Sequence, residues 1–111
     1  MVTGADGFAA LDMRTGTILS AEPLPQTRKP SYKLSIDFGN EIGRKRSSAQ
    51  ITALYTCDDL IGMQVVAAVN LGTKRIAGFE SEALVLGVPD SNGDVVLLTP
   101  QRRVENGVRV F

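Results

Sequence analysis

Large apolar and polar side chains alternate strictly over residues 32–38. A period of two residues predicts a β-strand with a buried face, carrying Leu34, Ile36 and Phe38, and an exposed polar face. Residues 39–43 have the composition of a turn, and residues 44–51 can return antiparallel to the first strand. The sequence therefore predicts a β-hairpin whose outer surface carries basic and hydroxyl side chains.

Other segments predict further strands and little helix. Four of them read as strands: residues 14–22, 64–71, 83–88 and 95–99. Pro23 and Pro25 end the first of these, and a strong turn at 89–93 precedes the last. Residues 108–111 read as an edge strand or as an extension that faces a partner.

Two short helices are expected. Thr56 has the properties of an N-cap, acidic residues follow it in the first turn, and Gly62 can end the helix. Asp6 can cap a second short helical turn that carries Phe8 and Leu11. Five strands with one short helix between the third and fourth predict an all-β fold, a Greek-key barrel of the OB-fold type, with small terminal extensions. A β-sandwich is the alternative, and the whole of 1–111 is expected to form one domain.

Composition excludes several kinds of chemistry. Histidine is absent, so Ser-His-Asp and Cys-His nucleophile systems and imidazole metal ligands are excluded. Cys57 is the single cysteine and can form neither an internal disulfide nor a thiolate metal site. The acidic pairs, Asp58 with Asp59 and Glu80 with Glu82, have no third ligand nearby. The sequence therefore predicts no catalytic residue, no metal and no cofactor.

Location follows from similar observations. The longest apolar run, residues 65–69, is far shorter than the roughly 18 residues of a spanning helix. The first residues have no basic leader segment. We expect no membrane insertion and a cytoplasmic protein.

The charges balance overall but are unevenly distributed. Twelve basic and twelve acidic residues give zero net charge, yet nine of the basic residues fall in four short clusters. The clusters are residues 28–29, 44–46, 74–75 and 102–103. Local basic patches can therefore bind phosphates despite neutrality.

Two segments are candidates for binding. The hairpin face with residues 44–50 combines cations with hydroxyls and an amide, a mixture that suits phosphate, sugar and base edges. Residues 70–82 add Lys74, Arg75, Asn70 and Ser81 on a glycine-containing loop. An ordinary solvated hairpin and an ordinary solvated loop are the alternatives for these two segments.

Four ordered motifs resemble the CsaA secretion chaperones, which belong to the OB-fold tRNA-binding domain family. They are LDMRTGTI at 11–18, RKPSYKLSIDFG at 28–39, KRSSAQI at 45–51 and RIAGFESEALVLG at 75–87. The resemblance implies a homodimer formed through terminal segments, recognition of the outer corner of folded tRNA, and no catalysed reaction. The tRNA-facing positions that it implies are Lys33, Lys45, Arg46, Ser47, Ser48, Asn70, Lys74, Arg75, Ser81 and Leu84.

The same resemblance implies a second activity, the binding of unfolded or preprotein polypeptide in support of export, alongside the translocation motor. Apolar grooves that include Phe79 and Leu84, together with pairing at an exposed strand edge, are the expected means of peptide capture. A CsaA-like chaperone is the leading hypothesis and a tRNA-binding protein is the rival. A scaffold that uses the fold only for association is a third possibility.

Overall fold

A computed structural model describes residues 4–25 and 27–111. Residues 1–3 and residue 26 lie outside it, so the expectation about a leader segment falls partly outside the described residues. The strands are β1 (Met13–Pro23), β2 (Tyr32–Asp37), β3 (Arg44–Ala49), β4 (Gln64–Ala68), β5 (Lys74–Ile76), β6 (Phe79–Ser81), β7 (Leu84–Val85), β8 (Gly87–Pro89) and β9 (Val95–Leu97). The helices are α1 (Gly4–Ala10), α2 (Gly39–Ile42) and α3 (Cys57–Leu60).

Five antiparallel strands form the main sheet in the order β3-β2-β1-β4-β7. The long β1 pairs with β4 through Met13–Thr17 and with β2 from Thr17 to Pro23, and its register with β2 shifts at an irregularity between Ile18 and Ser20. The outer edge of β3 then meets the segment before β7, because the Glu82 and Ala83 amides donate to the Arg46 carbonyl at 2.7 and 3.2 Å. The sheet is thus a nearly closed barrel, which confirms the OB-fold prediction.

The barrel interior is filled by the residues that the alternation predicted. Leu34, Ile36 and Phe38 are fully buried together with Ile18 and Val65. Gly16 lies on β1 where a Cβ atom would be 2.7 Å from both the Ile36 and Phe38 side chains. Only glycine fits there without repacking the core.

The helix between β3 and β4 is present where the sequence predicts it. Thr56 caps α3 by accepting a hydrogen bond from the Asp59 amide at 3.1 Å, and the Asp59 carboxylate accepts one from the Thr56 amide at 3.0 Å. These two bonds form a capping box, and the one that the Asp59 carboxylate accepts from the Thr56 amide lowers the pKa of Asp59. In α1 (Gly4–Ala10), Asp6 lies within the first turn and Leu11 follows the last residue, so the expectation that Asp6 caps this helix is wrong.

Apart from residues 70–82, three segments differ from the sequence prediction. Residues 39–42 form one helical turn, α2, rather than a plain turn. Residues 83–88 split into β7 and β8 at Leu86, whose amide donates to Val66 on β4 while its carbonyl accepts from Leu98 beyond β9. The strand expected at 108–111 is a single bridge between Arg14 and Arg109. No helix in the described part of the chain could cross a bilayer.

Candidate functional site

The loop expected at residues 70–82 is in fact a small β-hairpin, β5–β6. Its register places Lys74 opposite Ser81, Arg75 opposite Glu80 and Ile76 opposite Phe79. The two-residue turn consists of Ala77 and Gly78, which have φ angles of 50° and 80°. Two positive φ angles are the mark of a type I′ turn, whose twist suits a tight hairpin.

Arg46 fastens this hairpin to β3. Its guanidinium lies 5.2 Å from the centroid of the Phe79 ring, and it pairs with the Glu80 carboxylate at 3.4 Å and the Glu82 carboxylate at 3.6 Å. The Ser48 amide donates to Ser81 Oγ at 3.0 Å in the same junction. β3 therefore supports the hairpin through the Arg46 guanidinium and the Ser48 amide, and two carboxylates already balance the charge of that guanidinium.

A trough runs along the hairpin. It consists of three adjoining depressions of about 820, 320 and 290 Å³, all lined by Ile76. The first is the basic end, lined by Thr27, Arg28, Lys29, Ser31, Gln50, Lys74, Arg75 and Ala77. The other two form the apolar end, lined by Ser48, Ala49, Ile51, Leu71, Ser81, Ala83, Leu84, Val85, Val95 and Leu97 among others.

The trough has a strong local charge in a neutral protein. Four basic residues line it, namely Arg28, Lys29, Lys74 and Arg75, and no acidic residue does so within residues 4–25 and 27–111. All four are exposed, and none of them has an ion-pair partner within the described residues. Glu80, which lies opposite Arg75 in the register, pairs instead with Arg46. The basic end is therefore a site of uncompensated positive charge.

Five of the positions that the resemblance implies line the trough. They are Ser48, Lys74, Arg75, Ser81 and Leu84. Lys33, Arg46 and Phe79 instead line a separate depression of about 280 Å³. Lys33 pairs there with Glu22 at 3.2 Å, so its charge, like that of Arg46, has an acidic partner.

The remaining three positions have other surroundings. Ser47 is fully buried opposite Leu34, and Lys45 lies opposite Ile36, so both face the side of the sheet that carries the core residues of β2. The Asn70 side chain accepts a hydrogen bond from the Asp12 amide at 2.9 Å and donates one to the Ala10 carbonyl at 2.8 Å. Asn70 therefore ties the segment after α1 to the end of β4.

Sequence reasoning did not assign the residues on the far wall of the trough. Arg28 and Lys29 come from the loop between β1 and β2, and Val95 and Leu97 come from β9. The charge cluster at 28–29 was visible in the sequence, but only the tertiary fold shows that it faces Lys74 and Arg75.

The shifted pKa values in the protein belong to structural contacts. The hydrogen bond from Arg14 lowers the pKa of Asp12, and burial raises the pKa of the Tyr32 phenol, which donates to the Tyr55 carbonyl at 2.8 Å. Neither residue lines the trough, and the described residues contain no group of three or more potential metal ligands. The trough is therefore equipped to bind a ligand by charge, apolar contact and hydrogen bonds.

Comparison with known proteins gives the family. The model of the putative tRNA-binding domain matches residues 13–109. The methionine–tRNA ligase of Methanothrix thermoacetophila is 39% identical over 102 residues, which is 92% of this chain and 14% of that enzyme. The enzyme of Methanosarcina acetivorans is 32% identical and is likewise covered over 14% of its length. The chain thus spans about one seventh of these curated relatives and belongs to the tRNA-binding domain family.

Three solved structures match this chain over its whole length. Chaperone CsaA from Bacillus anthracis str. Ames is 50% identical with a TM-score of 0.90, and both chains are covered over 100% of their length. The CsaA chaperone from Picrophilus torridus is 44% identical with a TM-score of 0.92, again over 100% of both chains. A MetRS-related protein from Pyrococcus horikoshii is 29% identical with a TM-score of 0.86, and the match covers 100% of this chain and 99% of that protein's chain. These matches confirm the resemblance to CsaA.

Proposed function

We propose that this protein is a CsaA-like chaperone that binds unfolded or preprotein polypeptide in support of export, without catalysing a reaction. The observation that carries the proposal is the trough, in which an apolar surface lies beside a free strand edge. The full-length similarity to two proteins named as CsaA chaperones supports the same reading.

The free strand edge belongs to β5. Within the described residues β5 pairs only with β6, and no backbone hydrogen bond from another element reaches its other edge. Lys74, Arg75 and Ile76 line the basic end of the trough, so β5 borders the space that a ligand would fill. An extended chain can pair with such an edge through main-chain groups alone, which is what a binder of varied polypeptides requires.

The apolar end supplies surface for side chains. Leu71 and Leu84 are 57% and 51% exposed, which is unusual for leucines that line a concavity. Ile76, Val85 and Val95 continue this surface and are only partly exposed. Unfolded chains expose apolar side chains that folded proteins bury, so this surface can distinguish the two states.

The test compares two exposed leucines. Leu84→Asp places a charge in the trough, whereas Leu54→Asp changes a leucine that is 45% exposed and lies outside its lining. We expect the native protein and Leu54→Asp to bind a reduced and alkylated, permanently unfolded protein with similar affinity. Leu84→Asp should bind it at least about tenfold more weakly, because burial of apolar ligand groups in the trough would remove water from the new carboxylate. Circular dichroism checks that both variants fold. Equal affinity of the two variants, or no binding by the native protein, would contradict the proposal.

Binding of folded tRNA is the second candidate, favoured by the four uncompensated cations of the basic end. Thr27, Ser31 and Gln50 add neutral hydrogen-bonding groups around them. No aromatic side chain of the described residues lines the trough, so the surface is suited to phosphate and ribose contacts rather than to stacking of single-stranded bases. Lys33, Lys45, Arg46 and Asn70 remain proposed tRNA contacts outside the trough.

Salt dependence separates the candidates. Phosphate binding should weaken steeply with salt, and changing Lys74 and Arg75 to Glu should reduce the slope of log K against log salt by about 2. A variant with Arg44 and Arg102 changed to Glu has the same net charge and alters no residue of the trough lining. Filter retention of a folded tRNA transcript at several salt concentrations measures the affinity and its slope. An equal loss of tRNA affinity in both variants would show that the trough is not the tRNA-binding surface.

A further inference from the structure

We infer that the trough selects polypeptide segments in which an acidic residue and an apolar residue stand two positions apart. This rests on the proposed polypeptide binding and adds the sequence pattern of the segments that bind. It depends on which charges line the trough and on how side chains alternate along β5.

The charges at the basic end of the trough determine which sign of charge a bound polypeptide should carry there. Arg28, Lys29, Lys74 and Arg75 surround the basic end, while Glu80 and Glu82, the nearest carboxylates along the chain, are paired with Arg46. A basic segment would meet uncompensated like charge there, whereas an acidic segment would neutralise it. The bound polypeptide should therefore be acidic at the point where it passes Lys74 and Arg75.

The alternation of side chains along β5 sets the spacing between the acidic and the apolar residue of the ligand. Lys74 and Ile76 are two residues apart on β5 and so project from the same face, and both line the depression that contains Leu84. A chain added to the free edge of β5 places its residues i and i+2 on that face, beside Lys74 and Ile76. An acidic side chain near Lys74 then has an apolar side chain two positions away near Ile76 and Leu84.

The same cations predict competition between an acidic peptide and RNA. The cations that would pair with an acidic segment are those that would contact phosphate, so the two ligands should exclude each other at the basic end. Displacement of a bound acidic peptide by folded tRNA is thus expected, and simultaneous binding would overturn the assignment of Lys74 and Arg75 to the peptide.

The test uses three fluorescent peptides of twelve residues, of which the first two have the same amino-acid composition. In the first, the repeat is Glu-Gln-Leu-Gln, which places Glu and Leu on one face. In the second, the repeat is Glu-Leu-Gln-Gln, which places them on opposite faces. A third peptide repeats Lys-Gln-Leu-Gln. Fluorescence anisotropy at low salt should show the first peptide binding at least about fivefold more tightly than the second and about tenfold more tightly than the third.

Variants of the protein locate the effect. Lys74→Glu should weaken the preference for the first peptide over the third, because only Arg28, Lys29 and Arg75 then remain as cations, whereas Arg102→Glu, an exposed arginine outside the trough lining, should preserve it. Equal affinity for all three peptides would overturn the inferred pattern while leaving polypeptide binding intact. If none of the peptides binds but unfolded protein does, the pattern is also wrong; if neither binds, the proposed function itself fails.

Discussion

Arg46 on β3 lies with its guanidinium 5.2 Å from the centroid of the Phe79 ring on β6. The two residues are 33 positions apart in the sequence, yet their contact, with the ion pairs to Glu80 and Glu82, holds the wall of the trough against the barrel. The side chain of Arg46 is half exposed, so this is a support that substitution can weaken without opening the core.

Arg46→Gln should loosen the hairpin without unfolding the protein. It removes the contact with Phe79 and both ion pairs, which together contribute about 1 kcal/mol at an exposed position. Hydrogen exchange should quicken at residues 74–83 and remain slow in β1 and β2. Arg44→Gln is the matched control, because Arg44 lies on the same strand and has no ion pair among the described residues. Uniform change across the barrel in the Arg46 variant would contradict a local role.

Ala77→Asn should stabilise the same hairpin. Ala77 has a φ of 50°, a left-handed conformation that costs alanine free energy and that asparagine adopts more readily. We expect a gain of about 0.5–1 kcal/mol in the free energy of unfolding of the hairpin and slower exchange at 74–81. Ala53→Asn changes an exposed alanine without a positive φ and should give no gain. A loss of stability in Ala77→Asn would show that the Cβ atom of Ala77 has a packing role.

The sequence was most informative where side-chain patterns are long. The alternation at 32–38 fixes the faces of β2, and the Thr56 capping box marks α3 because its spacing is specific. The β5–β6 hairpin was missed because its strands have three residues each and its turn is Ala-Gly rather than Asn-Gly.

The candidate site was less predictable because it depends on contacts distant in the sequence. Lys45 and Ser47 belong to a basic motif, yet strand alternation turns them toward the core side of the sheet. Asn70 is polar and exposed, but its hydrogen bonds hold Ala10 and Asp12, about 60 residues away. Residue type indicated binding chemistry, and the tertiary fold decided which residues share a surface.

Gly107→Ala should be strongly destabilising because the backbone of the C-terminal segment passes close to the barrel. A Cβ atom at residue 107 would lie 2.3 Å from the Phe38 carbonyl oxygen, and the φ of Gly107 is 84°. Gly93 has a nearly equal φ of 82° and nothing within 4 Å of its Cβ position, so it isolates the conformational cost. We expect losses of about 1 kcal/mol for Gly93→Ala and about 3 kcal/mol or more for Gly107→Ala in chemical denaturation. Equal losses in the free energy of unfolding for the two variants would mean that the C-terminal segment can move away from the Phe38 carbonyl without destabilising the protein.

Asp12 should make stability depend on acid pH. The Arg14 guanidinium, 2.6 Å from the Asp12 carboxylate, holds the pKa of that carboxyl below its ordinary value of 3.8. Because the pKa of Asp12 is lower in the folded state than in the unfolded state, its ion pair with Arg14 contributes fully to the free energy of unfolding above about pH 4. This contribution is lost as the pH falls through the folded pKa. Asp12→Asn should therefore cost about 1–2 kcal/mol at pH 6, a difference that shrinks below pH 3.8. Asp58→Asn, at an exposed carboxylate, is the control, and a difference as large at pH 2.5 as at pH 6 would contradict the ion-pair explanation.

Self-association through the terminal segments, which we propose from the resemblance, gives the final prediction. Phe8 on α1 and Val108 in the C-terminal segment are 48% and 44% exposed, and Arg109 donates to the Ala9 carbonyl at 2.9 Å, so the two segments adjoin. Such an apolar surface is typical of an interface between two identical chains. Light scattering should give twice the chain mass of 11.9 kDa for the native protein and for Leu54→Glu, but the chain mass for Val108→Glu. Two-fold mass in all three proteins would place the interface elsewhere, and chain mass in the native protein would exclude the dimer.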